Sequence, residues 1–558
     1  MIANFGDGEE RRLVLGVARS ANDNAWRERL NAADSRAAMA ICQTHGLPDV
    51  LARVMAARGV LAEQAPEFLE PSLKTLMPDP STLVDMDAAV ARVADAVQAG
   101  RKIAIFGDYD VDGATSSAIF AKYLQWLGLD PVIHIPDRII EGYGPNGPAI
   151  EHLRQGGAEL LVTLDCGSTS FEAFETARTL DLDVVVIDHH QVGETLPAVS
   201  ALVNPNRQDD LSGQGHLAAV GVTFLFLVGL NRELRRRGAF QSRPQPDLMA
   251  LLDLVALGTV CDVVPLQGLN RAYVTRGLAI MHQRRNFGLT ALSDAARVSG
   301  KPAPYHLGFL IGPRINAGGR IGDAALGARL LTTEDPHEAR AIAERLDQLN
   351  SERQVMEAAM LEQAGVEAVL AIDSRNPAVL LTGSDGWHPG IVGLIASRLK
   401  EAHRRPAFAI AYDEIRQGDG LRPFHRRRRP WQGGTQGGGR GLAGKGRRPC
   451  HGSRVDGPPG KGSRSGKLLQ RGPEGRRRGG DGAQGSQDRC GPDGDRRHPG
   501  PHGSSGESRS LWRRTCGTGV CISRAPYFLC RCRWQRPRQG HSCGGRRETA
   551  QGDLFQGR

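Results

Sequence analysis

The residues most able to do chemistry fall in four acidic groups. GDYDVDG (107–113) places Asp108, Asp110 and Asp112 on one turn before a helix, and Asp165 opens an Asp-Cys-Gly turn. Asp188, His189 and His190 are consecutive, and Asp262 ends the apolar run 254–261. Carboxylates gathered in one place repel one another and are costly to keep ionised without cations. Carboxylates joined by one or two imidazoles suit a pair of divalent metals, and histidine favours manganese over purely oxygen-ligated magnesium. Taken singly, three of the groups have a plainer reading. GDYDVDG could be an acidic turn or a poor calcium loop, Asp165 a helix cap, and the two histidines the end of a strand. Their co-occurrence favours the metal reading, because each group follows an apolar run.

Those apolar runs set the fold expectation. KIAIF (102–106), PVIHI (131–135), LLVTL (160–164) and DVVVI (183–187) are short and apolar throughout. They are separated by helical stretches near Thr115–Leu127 and Phe171–Leu180. Strands of this kind, alternating with helices, indicate an α/β domain with a parallel sheet covered on both faces. Ligands in such sheets bind beyond the carboxyl ends of the strands, where the acidic groups fall. The expected organisation is a flexible tail over 1–35, a helical segment over 36–100 and a metal-binding α/β core over 101–332. A linking helix follows over 333–366, from Thr333 to about Ala364. A smaller, partial α/β domain then covers 367–415, built from AVLLTG (378–383), a helix from Gly390 to Lys400, and AFAIAY (407–412).

Composition changes after residue 415. The formal charge of +10 divides into roughly +22 over residues 416–558 and roughly −12 over 1–415, so bulk charge on the core is no argument for nucleic acid. About 33 of the 70 glycines lie in 416–558, a low-complexity Arg/Gly-rich stretch expected to be disordered. Only Cys42, Cys166 and Cys261 precede it, with no paired spacing, so neither a disulfide framework nor a zinc site is indicated. Met1 to Arg11 lacks a signal-peptide layout. The apolar stretch Leu248–Val260 is interrupted by Asp253 and too short to span a bilayer. The expectation is a soluble, cytoplasmic protein.

In this order, GDYDVDG, the DCG turn, Asp188-His189-His190 and the later Asp262 resemble the successive motifs of the DHH phosphoesterases. GPRINAGGR (312–320) and GSDGWHPGIVGLIASRLKE (383–401) narrow the resemblance to RecJ-type nucleases, over about residues 40–415. The resemblance implies a two-metal phosphodiesterase using Mn2+ or Mg2+ to hydrolyse single-stranded DNA from its 5′ end in recombination and repair. It would release 5′-mononucleotides. It puts Asp110 on the first metal and Asp112 on the second, with Asp165 bridging and His189 and Asp262 completing the second site. Asp108 would be a ligand or a support, and His190 would face the scissile phosphate. Arg314, Asn316 and Arg320, read as a glycine-rich turn, and His388 would meet substrate phosphates. Trp387 is expected to pack rather than stack on a base. A single-strand-binding protein and a helicase are implied partners of a monomeric enzyme. The alternatives are a relative acting on short oligonucleotides or cyclic dinucleotides, and an inactive DNA-binding relative.

The chain departs from that family after about Ile415, where a GGGHA-type motif and an OB-fold are expected and neither is legible. Lys445 to Arg454 reads KGRRPCHGSR, and one permitted codon choice, read one nucleotide later, gives KGGGHAMAAG. The expectation is a shift of reading frame near Ile415–Gly420. On that expectation, His451 and the arginines beyond inherit no role.

Overall fold

The computed structural model describes residues 12–21 and 25–412, and the segment after Ile415 lies outside them. Five short strands form one parallel sheet: β1 (Ile103–Gly107), β2 (Val132–His134), β3 (Leu160–Leu164), β4 (Asp183–Ile187) and β5 (Ala201–Val203). Their order is β2-β1-β3-β4-β5. Successive side chains of a strand point to opposite faces. Ile103, Ile105, Val162, Val185 and Ile187 accordingly enter a core with the helices Met86–Gln98, Val111–Trp126, Ala219–Arg236 and Leu252–Cys261. Ala104, Phe106, Leu161, Val184 and Val186 enter a second core under the helices Gly147–Gln155 and Phe171–Thr179. Each buried Val, Leu or Ile contributes about 1.5–3 kcal/mol, so uniformly apolar strands are what this double coverage requires.

The sheet-forming runs match the sequence expectation closely, and several boundaries differ. The helix expected from Thr115 begins at Val111, because Asp110 caps it by accepting from the backbone N–H groups of Asp112 and Gly113. Asp108, Asp110 and Asp112 therefore do not share one turn before a helix; Asp112 sits inside its first turn. Within the segment expected to be loose, Asn31 and Asp34 form a reciprocal capping box that starts the helix Ala32–His45. The apolar run ending at Asp262 is a buried helix, Leu252–Cys261. GPRINAGGR is likewise a helix, Gly312–Ile321, not a glycine-rich turn. Its glycines serve close approach: a Cβ on Gly319 would lie 2.8 Å from the Tyr109 carbonyl oxygen.

The linking helix runs further than expected, from Pro336 to Arg375, capped at one end by Asp335 and closed at the other by Asn376 in the left-handed region. Its second half packs against β6 (Leu380–Ser384), β7 (Ala407–Ala411) and the helix Val392–His403 through Met360, Ala364, Leu380, Ile391, Ile395 and Leu399. Trp387 is buried there and donates from Nε1 to Gln363, so it packs as expected. Among the described residues, no helix is long and apolar enough to cross a membrane.

Candidate metal centre

The carboxyl ends of β1, β3 and β4 deliver the first three acidic groups to one edge of the sheet, and the helix ending at Cys261 delivers the fourth. Local backbone forces each turn. A Cβ on Gly113 would lie 2.3 Å from the Asp108 carbonyl oxygen, so only glycine lets the helix start close onto the end of β1. Asp165 (φ 62°) and Val263 (φ 62°), which follows Asp262, both sit in the left-handed region. That conformation is unfavourable for a β-branched residue and persists where the surroundings fix it, as at many functional sites.

Among the described residues, three sets of side chains bring ligand atoms within 4.8 Å of one another: Asp108, Asp110 and Asp165; Asp112, His189 and Asp262; and Asp165, His189 and His190. Asp165 belongs to two of them. His189 Nε2 stands 3.3 Å from Asp165 Oδ1, 3.6 Å from Asp262 Oδ2 and 3.8 Å from Asp112 Oδ2. Its other nitrogen, Nδ1, lies 3.0 Å from the Leu217 carbonyl, which fixes the ring and presents Nε2 as the ligating atom. Asp112 is aimed by the N-terminus of the helix Ala219–Arg236, whose Ala219 and Val220 N–H groups donate to its two oxygens.

The electrostatics call for cations. Burial, followed by the charge of Asp262, pushes the Asp112 carboxyl up to about 7. Burial and the charges of Asp112, Asp110 and Asp108 push Asp165 well above the usual carboxylate range. Burial opposes charge on His189, yet Asp262 and Asp112 outweigh it and its pKa moves upward. Asp165 Oδ1 is buried and accepts no hydrogen bond. An orphaned carboxylate oxygen amid mutually repelling carboxylates and an oriented imidazole fits a pair of divalent cations.

Asp188, the first residue of the Asp-His-His run, plays a different part from its neighbours. It is buried and accepts from the Ser168, His189 and His190 N–H groups and, at 2.7 Å, from His190 Nδ1. Burial works against its charge, but the His190 hydrogen bond and the two histidines hold it below the ordinary range. The other nitrogen of His190, Nε2, faces the Tyr143 hydroxyl at 3.2 Å. Sequence spacing marked neither role: the Asp188–His190 contact is a choice of local side-chain conformation, and Tyr143 reaches His190 from the loop after β2.

The residues expected to meet phosphate divide. Arg314 turns away to Asp347 on the long helix (2.8 Å) and to the Leu310 carbonyl. Arg320, at the end of the same helix, is partly buried and lies beside Tyr109, Arg138 and the Gly390 carbonyl. Burial and the neighbouring Arg138 lower its pKa to about 10. Arg138 itself stacks over the Tyr109 ring at 5.0 Å. Asn316 is partly buried on that helix, and His388 Nδ1 accepts from the Gly390 N–H, tying it to the same junction.

Comparison with known proteins agrees with this arrangement. Residues 102–259 match the family described as DHH family, N-terminal domain. The chain is 40% identical over 383 residues to the single-stranded-DNA-specific exonuclease RecJ of Escherichia coli K12, covering 67% of this chain and 66% of that protein's length. A crystal structure of exonuclease RecJ bound to manganese superposes with a TM-score of 0.53 at 36% identity, over 60% of this chain and 81% of that one. RecJ from Thermus thermophilus in complex with Mn2+ gives 0.56 at 33% identity, over 68% and 53%. The chain therefore belongs to the RecJ family of DHH-domain proteins.

Proposed function

We propose that this chain is a two-metal, single-stranded-DNA-specific exonuclease that uses Mn2+ or Mg2+. The observation that carries the reading is the sharing of Asp165 between a carboxylate set and an imidazole set at one sheet edge. On this reading, Asp108 and Asp110 flank one cation and Asp112, His189 and Asp262 the other, with Asp165 between them. Together the cations would activate a water and stabilise the leaving oxygen of the phosphodiester. His190, held by Asp188 at Nδ1 and facing the Tyr143 hydroxyl with Nε2, would be the imidazole that meets the scissile phosphate. Arg320 is the guanidinium of the Gly312–Ile321 helix best placed for a phosphate, with Arg138 beside it; Arg314 serves the contact with the long helix instead. Hydrolysis from the 5′ end to 5′-mononucleotides, action in the cytoplasm as a monomer, and cooperation with a helicase and a single-strand-binding protein complete the reading by resemblance.

The domain boundaries above belong to the same proposal, as does a frame shift near Ile415, which resequencing across that codon would test. The functional test is release of mononucleotides from 5′-labelled single-stranded DNA by the full chain with Mn2+. Duplex DNA, short oligonucleotides and cyclic dinucleotides serve as comparison substrates. Asp165→Asn is expected to lower the rate by at least about 10²-fold, since it removes the residue common to both cation sites. Processing of only the short or cyclic substrates would move the assignment to another branch of DHH phosphoesterases. No processing of any of them would leave a DNA-binding relative.

A further inference from the structure

The loop that follows β5 bears no metal-ligand candidate, yet it grips both histidines. Asn204 is fully buried and donates from Nδ2 to the His190 carbonyl and to Ser168 Oγ, each at 2.9 Å. Asn206 donates from its own Nδ2 to the His189 carbonyl. The two asparagines are coupled, because the Asn206 N–H donates to Asn204 Oδ1 at 2.8 Å. Ser168 closes the circuit by donating its N–H to Asp188, the residue that orients His190. Three strand ends are joined in this way: β3 through Ser168, β4 through Asp188 to His190, and β5 through the asparagines.

Gripping the His189 and His190 carbonyls restrains the backbone that carries both imidazoles, while the Leu217 carbonyl at His189 Nδ1 and Asp188 at His190 Nδ1 restrain the rings themselves. Buried amide networks of this kind are rigid when every member is satisfied. We propose that Asn204 and Asn206 are positioning residues with separate tasks: Asn206 holds His189 for cation binding, and Asn204 holds His190 for the phosphodiester. This rests on the proposed two-metal reading. Neither asparagine is a ligand, so each acts through the histidine it grips, and outer-shell partners of this type are worth about 10–100-fold in affinity or rate.

The separation of tasks supplies the test, made on the full chain by Mn2+ titration, steady-state DNA hydrolysis and thermal melting. Asn206→Ala is expected to weaken Mn2+ binding about tenfold while saturating Mn2+ restores kcat. Asn204→Ala is expected to lower kcat about tenfold at saturating Mn2+ with Mn2+ affinity and KM nearly unchanged. The idea is overturned if both variants match the parent, or if both lose affinity and kcat together in proportion to a fall in melting temperature. Asn204 is fully buried, so should its variant not fold, the partly exposed Asn206 position decides alone. A parent chain that binds Mn2+ but leaves DNA intact would sink the exonuclease reading, while the Asn206 titration would still decide the grip on His189.

Discussion

Two parallel sheets among the described residues are built from similar sequences and have different surroundings. In β1–β5, alternate residues enter two separate cores, and helices cover both faces. In β6 and β7, Leu380 is buried against the long helix and the helix Val392–His403, whereas Leu381 (63% exposed) and its register partner Phe408 (48% exposed) face outward among the described residues. LLVTL in β3 and LLTGS in β6 begin alike, so apolar content alone does not report coverage. The acidic groups lie at the doubly covered sheet, where burial raises carboxylate pKa values and makes cation binding worth most. The second sheet contributes framework, through Trp387 and the Gly390 contact with Arg320.

The largest expected effect tests that contrast in coverage. Leu161→Ala in β3 should cost about 2–5 kcal/mol of stability, and Leu381→Ala in β6 less than about 1 kcal/mol, by denaturant unfolding. Equal costs would mean that the outer face of β6 and β7 is covered in solution.

Next in size is the electrostatic strain confined to the first sheet. In the metal-free chain Asp112 keeps its proton up to about pH 7, whereas an unfolded aspartate releases it near 3.8. The folded state then binds more protons than the unfolded state, so metal-free stability is full below about pH 4 and is lost as pH rises to about 7. Asp253, raised to about 6 by burial, and the upward-shifted His189 act in the same direction. Melting temperatures without metal should fall from about pH 5 to about pH 7.5, and Mn2+ should bind more tightly at the higher pH because it displaces those protons. A metal-free melting temperature that climbs across the same window would contradict the account.

The smallest effect concerns the helix that joins the two regions. Gly365 lies in its interior with nothing within 4 Å of a Cβ, so Gly365→Ala should stabilise the chain by about 0.5–1 kcal/mol without altering Mn2+ affinity. A loss of stability there would show that the helix bends at Gly365.

The strands and the acidic groups were legible because their signals are local. LLVTL and DVVVI coincide with β3 and β4, and the groups follow strand ends as the parallel-sheet rule requires. The misread elements had local signals that tertiary packing overrode. The glycines of GPRINAGGR suggested a turn, but they permit a helix to press against Tyr109. The run before Asp262, read only as apolar, is apolar on all sides because it is a helix buried all round. Arg314 and Arg320 looked equivalent in sequence, and their tertiary partners separate them, Asp347 on the long helix for one and the Gly390 carbonyl for the other.

By itself, the sequence determined the residue types of the metal centre and their order along the chain, because ligand chemistry is a property of side chains and strand punctuation is a property of short segments. Only the tertiary structure decided that Asp165 stands within reach of both the carboxylates after β1 and the histidines after β4, and that two asparagines beyond β5 grip those histidines. Those relations are distances between loops that are far apart in sequence, and folding of the sheet brings them together.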